Sequence, residues 1–276
     1  MAISTPTTPS QADARPVGLP PPTSRRRRGP DLRRWISPLA LLALWQLTSA
    51  AGLLSPDLLS SPWTIAQAGW EVTRSGELGE AFAVSIGRVT IGFAIGAGIG
   101  LLLGITAGLS RWGDLLIDPP VQMLRTLPFL GLIPLFILWF GIGEAPKIAL
   151  VALGVAFPLY LNVYSGIRNV DDQLTEAARV LGFNRFERLW HVVLPAAVPQ
   201  TLVGLRQSLG IAWLSLIVGE QVNADAGLGY LINNAREFLR TDVIVVGLVV
   251  YAALGLATDA LVRLLERRAL RWRATN

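Results

Sequence analysis

The chain has 276 residues, 52% hydrophobic and only 16% charged, with a formal net charge of +5 and a mean hydropathy of +0.49. Soluble domains carry roughly 25% charged residues, so the deficit points to an all-α polytopic membrane protein without a large soluble domain. There is no Cys, which excludes disulfides, thiolate catalysis and Cys-based metal sites. A lone histidine, His191, cannot build a multi-His metal centre. With so little exposed surface, the positive balance reads as membrane orientation rather than nucleic-acid binding.

Residues 1–34, rich in Pro, Ser and Thr and containing Arg25, Arg26, Arg27, Arg28, Arg33 and Arg34, read as a disordered basic tail on the cytoplasmic side. The uncharged run from Trp35 to Pro56 is long enough for a first transmembrane helix. A signal peptide is the rival reading, with the arginines as its n-region. The run outlasts a normal h-region and further spans follow, which favours an uncleaved helix. An external loop with a short interfacial helix, carrying Trp63 and Trp70, completes a first segment at 35–80.

A core of five further helices is expected over 81–265. Val89 to Ser110 is uncharged and carries glycines at 92, 96, 100, 104 and 108. Four-residue steps place them along one ridge, which lets another helix backbone come close. Arg111, Asp114 and Asp118 read as a short cytoplasmic turn. Pro119-Pro120 then opens a third span reaching Phe140, kinked by Pro128 and Pro134. The turn 141–147 leads to a fourth span, Ile148 to Ile167, with Pro158 inside. A polar loop follows at 168–195. The fifth span begins at Pro195 or Pro199 and contains Arg206. An external segment with Gly227-Leu228-Gly229 precedes the sixth, centred on Val243 to Thr258, and 266–276 is a basic cytoplasmic end. In this arrangement basic residues crowd one side, leaving Arg74, Lys147, Arg236 and Arg240 on the other. Both termini are therefore expected in the cytoplasm.

A P-loop requires a lysine after glycine, and the only lysine, Lys147, follows Pro146. No G-x-S-x-G or H-E-x-x-H occurs. The sequence thus suggests no enzyme, no cofactor and no metal. A transporter of this kind takes its energy from outside itself.

The polar loop is where such an engine could act. Asp171 and Asp172 can cap a helix whose body is Glu176-Ala177-Ala178, and Gly182 can end it with a left-handed residue. Asn184 and Glu187 have capping-box spacing for a second helix. Leu194-Pro195 is expected to turn the chain back into the membrane. Glu176-Ala177-Ala178, Gly182, Val192 and Leu194-Pro195 stand at the spacing of permease subunits of binding-protein-dependent ABC importers, with Val192 where that motif usually has Ile. The chain resembles that family over about residues 80–265. It looks most like the aliphatic-sulfonate permeases, near the taurine and nitrate branches, through 121–144, 150–171, 203–220 and 234–248.

The resemblance implies a type I importer permease fold of six transmembrane helices in the cell membrane. It implies a second permease copy as a homodimer, two cytoplasmic ATPase subunits and an extracytoplasmic binding protein. The substrate it implies is an aliphatic sulfonate. Taurine, nitrate, bicarbonate or a pyrimidine precursor in the same architecture, or a secondary transporter or channel, are the alternatives. Glu176 to Gly182 would be the helix that docks in the ATPase.

Charged groups deep in lipid usually face water or a partner. Arg125, Arg206 and Glu220 are therefore candidates for the substrate pathway, with an Arg206–Glu220 structural pair as the competing reading. Arg88 and Arg125 also fit snorkelling from helix ends.

Overall fold

The computed structural model of the protein describes residues 36–55 and 58–270, so the basic tail at 1–34 and all but the start of the basic C-terminus lie outside the described residues. Residues 36–43 belong to one compact unit and 44–270 to a second, which carries everything below except the first half of α1. Every described regular element is helical.

Helix α1, Ile36–Ala50, is apolar but has 15 residues. At 1.5 Å per residue this described part is about 22 Å long, and the expected first span begins at Trp35, outside the described residues. Helix α2, Pro62–Arg74, is the expected short helix. Ser61 caps it by accepting from Thr64 N–H, Pro62 opens it, and it buries Ala68 and Val72. Trp63 and Trp70 remain exposed.

Helix α3, Glu77–Leu109, starts well before the expected Val89, with Glu77 and Glu80 in its first turn. The apolar pattern seemed to break at Arg88, but that residue is buried inside the bundle. Ser110 accepts from Gly113 N–H and starts α4, Arg111–Thr126. The expected cytoplasmic turn at Arg111–Asp118 is therefore helix, and Pro119-Pro120 lies within it rather than at its start. The break comes at Leu127, which is extended (φ −69°, ψ 140°) because it precedes Pro128. A short 3-10 turn, Phe129–Leu132, then leads into α5, Ile133–Phe140. The two halves meet at 85°, so the third span is a broken pair and not one kinked helix.

Helix α6, Glu144–Arg168, runs through Pro158 and is the most buried helix of the bundle. After it come α7, Asp172–Val180, and α8, Arg185–Arg188. A single π turn, Leu189–Val193, joins α8 to α9, Leu194–Asn223. Helix α10, Leu228–Glu237, and α11, Thr241–Ala269, complete the described chain. Among the described residues, four helical stretches are long and apolar enough to cross a membrane, namely α3, α6, α8 through α9, and α11. The α4–α5 pair gives a fifth.

Helix α6 sits between α3 and α9. The glycine ridge lies along its contact with α3. A Cβ at Gly92 would stand 2.7 Å from Val151 Cβ, one at Gly100 2.7 Å from Ala156 O, and one at Gly108 2.9 Å from Ile167 Cβ. At Gly96 the obstacle is the backbone of Ala152 itself. The backbones meet because no side chain separates them.

Gly98, one residue pair along the helix, faces open space. Gly96→Val should cost about 3 kcal/mol or more through overpacking against rigid backbone. Gly98→Ala should leave the protein unchanged or slightly more stable. Thermal unfolding of the purified variants in detergent checks both; equal melting temperatures would show that the ridge does not hold α3 to α6.

Candidate functional site

Two polar features stand out, one displayed outside the bundle and one sealed within it. The displayed feature is the link between α6 and α9. Asp171 Oδ1 accepts from Gln173 N–H at 2.9 Å and fixes the start of α7. At the other end, Gly182 adopts φ +86°. Gly182 N–H donates to Arg179 O and Phe183 N–H to Ala178 O, both at 3.0 Å. This pair of bonds around a left-handed glycine closes the helix. Asn184 and Glu187 then form a reciprocal capping box, with bonds of 2.8 and 2.9 Å.

Glu176 and Ala177 are exposed, whereas Ala178 is buried. Val180, Leu181 and Phe186 are 88, 75 and 76% exposed, an apolar surface with nothing on it. Helix α7 packs against the π turn. A cleft of about 390 Å³ opens there between Leu109, Thr175, Arg185, Arg188, Leu189 and Val193. Leu194 and Pro195 are half-buried at the start of α9. The sequence predicts a turn here, and they make none. One helical path runs from Arg185 to Val222. Pro195 has no N–H to give the preceding turn. The wider winding just before it is the local answer, with Leu194 N–H reaching back to Leu189 O. The six motif residues are thus split: Glu176 to Gly182 form one capped helix, and Leu194-Pro195 begin the long helix beyond.

The sealed feature centres on Glu220, only 1% exposed. Its carboxylate accepts from Ser85 Oγ (2.8 Å), Arg88 Nη1 (2.7 Å), Gly229 N–H (2.7 Å) and Tyr251 Oη (3.1 Å). Arg88, 5% exposed, also donates to Ala226 O and, through Nε and Nη2, to Glu144. Lys147 Nζ joins Glu144 at 3.1 Å. Ser85 Oγ, while donating to Glu220, accepts from Leu228 N–H at 2.8 Å. Two spanning helices, α3 and α9, are thus tied directly to the segment 226–229, and α6 and α11 join the same network through Glu144 and Tyr251.

Gly227 and Gly229 permit this approach. A Cβ at Gly229 would sit 2.5 Å from Glu220 Cβ, and Gly227 holds φ +116° against the Glu220 carboxylate. Both glycines were visible in sequence, but their partner was not, since Arg88 and Glu220 are 132 residues apart.

The Arg206–Glu220 pair, the competing reading from sequence, does not form. Arg206 is exposed and reaches Glu266 (2.8 Å) and Asp259 (3.3 Å) on α11 instead. Arg263 also pairs with Asp259. Sequence proximity suggested the wrong partner, while Asp259 and Glu266 lie in a stretch read only as a membrane end. Arg88 does not snorkel either: it is itself buried, and it pairs with the buried Glu220 as well as with Glu144, whose side chain is exposed. Arg125 lies in the last turn of α4 and is exposed.

Helices of membrane length, knitted by small residues and buried ion pairs, define a polytopic membrane protein. Residues 98–271 match the family described as binding-protein-dependent transport system inner membrane component. The chain is 51% identical over 238 residues to the putative aliphatic sulfonates transport permease protein SsuC of Escherichia coli K12, covering 86% of this chain and 90% of that protein. It is 34% identical over 237 residues to the taurine transport system permease protein TauC of the same organism, covering 84% and 86%. A crystal structure of an amino acid ABC transporter with histidines matches 72% of this chain and 96% of its own at a TM-score of 0.61, with 19% identity, which is a likeness of fold. The chain belongs to the binding-protein-dependent transport system inner membrane component family, and its fold is that of type I ABC importer permeases.

Removing one member of a buried ion pair costs about 3–5 kcal/mol because the other charge is left uncompensated. Arg88→Met should therefore sharply lower the melting temperature of the purified protein. Arg88→Met with Glu220→Gln should recover part of the loss. Arg206→Gln, whose pairs are exposed, should cost no more than about 1 kcal/mol. Comparable losses for Arg88→Met and Arg206→Gln would contradict this ranking.

Proposed function

We propose that this chain is the membrane-spanning subunit of an importer that carries aliphatic sulfonates into the cell, driven by separate ATPase subunits. The observation that carries the reading is the exposed α7 with its glycine closure. A helix capped at both ends and held clear of the bundle is built to be gripped by another protein. Its residues Glu176, Ala177, Ala178 and Gly182 stand at the family's coupling spacing. The excess of basic residues at 1–34, in 168–188 and after Arg263 supports a cytoplasmic placement of this loop and of both termini.

Two ATPase subunits would take the two coupling helices of a permease homodimer, and a binding protein would deliver substrate from the other side. Movement imposed on α7 and α8 passes into α9 along one helical path, and from α9 to α6, on which it packs. Identity of 51% to the sulfonate permease, against 34% to the taurine permease, supports sulfonates as cargo. A sulfonate is a permanent anion whose oxygens accept hydrogen bonds.

At Gly182 a Cβ meets nothing within 4 Å, so substitution acts only on the backbone. A β-branched residue in the left-handed region costs about 1–2 kcal/mol, which frays the end of a helix of nine residues. Gly182→Val should insert normally yet lose stimulation of ATP hydrolysis by loaded binding protein in proteoliposomes, while Gly182→Asn should retain most of it. Wild-type stimulation in Gly182→Val would sink the docking role. For the substrate, a deletion strain should fail to grow with alkanesulfonates as sole sulfur source and recover on complementation. Unimpaired growth of the deletion strain would rule the sulfonate assignment out.

A further inference from the structure

A chain of amides crosses between α6 and α9, and its direction is fixed by one backbone carbonyl. Asn162 is 8% exposed and donates from Nδ2 to Pro158 O at 2.8 Å. A carbonyl only accepts, so the nitrogen of this amide must be the atom that faces it. The same Nδ2 also donates to Gln207 Oε1 at 2.9 Å, and Asn162 Oδ1 accepts from Gln200 Nε2 at 2.7 Å. The orientation of all three amides follows from Pro158 O. Gly204 lies between the two glutamines, and a Cβ there would stand 2.6 Å from Asn162 Cβ, so only glycine lets the chain close.

The consequence falls on Gln207. Its oxygen is taken, and its Nε2 turns two N–H donors outward, from an exposed side chain with no partner for that nitrogen among the described residues. Gln207 is 13 residues beyond Leu194, about 20 Å along the helix, near the middle of the span. Donors left bare in hydrocarbon cost a few kcal/mol. The lipid-type faces of this bundle look different. Helix α3 exposes Ile91, Ile95, Ile99 and Leu102, and α11 exposes Leu248, Val249 and Leu256, all aliphatic. The exposed stripe of α9 reads Gln200, Val203, Gln207, Gly210 and Leu214, with Arg206 beside it, so that polar groups occupy its first half. Neighbouring Arg206 offers no free positive charge, since Asp259 and Glu266 hold it.

We infer that the Gln207 amide lines the substrate passage and donates hydrogen bonds to the anionic headgroup of the sulfonate in transit, which makes it a specificity-determining residue. The inference rests on the sulfonate reading above. A neutral donor suits a passage, because it compensates for lost water without trapping the anion as an unpaired arginine would.

The test uses the permease reconstituted with its ATPase and binding protein, reading uptake of radiolabelled ethanesulfonate and binding-protein-stimulated ATP hydrolysis side by side. Gln207→Glu keeps the acceptor for Asn162 and replaces the donor by a negative charge. Gln207→Met removes both polar groups at similar length. Gln207→Met should lower uptake about tenfold, the lower end of the worth of one hydrogen bond to a charged acceptor, and Gln207→Glu more than that, with ATP hydrolysis within about twofold of wild type. Wild-type uptake in both variants would overturn the assignment while leaving the sulfonate reading intact. Parallel loss of uptake and ATP hydrolysis would also overturn it, marking Gln207 as a contact with the second copy. A wild-type complex that hydrolyses ATP but takes up no ethanesulfonate would overturn both readings.

Discussion

Backbone-to-backbone contact between α3 and α6 is the constraint on which the other positions depend. With Gly92, Gly96, Gly100, Gly104 and Gly108 all turned to α6, the two helices approach until Cα and carbonyl atoms meet. Within lipid there is no hydrophobic drive to hold helices together, so van der Waals contact at close range must do it. That closeness brings the Arg88 turn of α3 against the first turn of α6, where Glu144 and Lys147 lie. Helix α9 then packs on another face of α6, where Gly166 and Gly204 allow a similar approach. The position of Glu220 at the far end of α9 is a result of these two contacts.

The ion cluster around Glu220 and the displayed α7 lie at opposite ends of α9 and use different physics. Around Glu220 every donor is spoken for, which makes burial of the carboxylate tolerable. Around α7 the capping bonds use local backbone and leave Val180, Leu181 and Phe186 open. One end is closed upon itself, and the other is finished only by a partner. An ATPase on α7 fits that asymmetry.

Much of this was legible in the sequence. The glycine ridge, the Asp171 cap, the left-handed Gly182 and the Asn184–Glu187 box are local patterns whose physics is carried by spacing alone. Span ends were less legible. Arg88 looked like a terminus because hydropathy counts a charge without seeing its partner, and α3 in fact begins at Glu77. Pro119-Pro120 looked like a helix start, yet the break comes at Pro128, where Leu127 adopts the extended form. The pairs Arg88–Glu220 and Arg206–Glu266 join distant parts of the chain, and nothing in a single sequence ranks such partners. The direction of the amide chain required coordinates, because it hangs on the carbonyl of Pro158.

The segment 226–229 is held mainly by its main chain: Ala226 O, Leu228 N–H and Gly229 N–H make the bonds, to Arg88, Ser85 and Glu220. Main-chain groups are the same for every residue type. Apart from the two glycines, changes within this segment barely alter those bonds, whereas a change at Ser85, Arg88 or Glu220 removes one of them. Genetic suppressors that loosen this loop would therefore map to the helices α3 and α9, far away in the gene from the loop whose freedom they change.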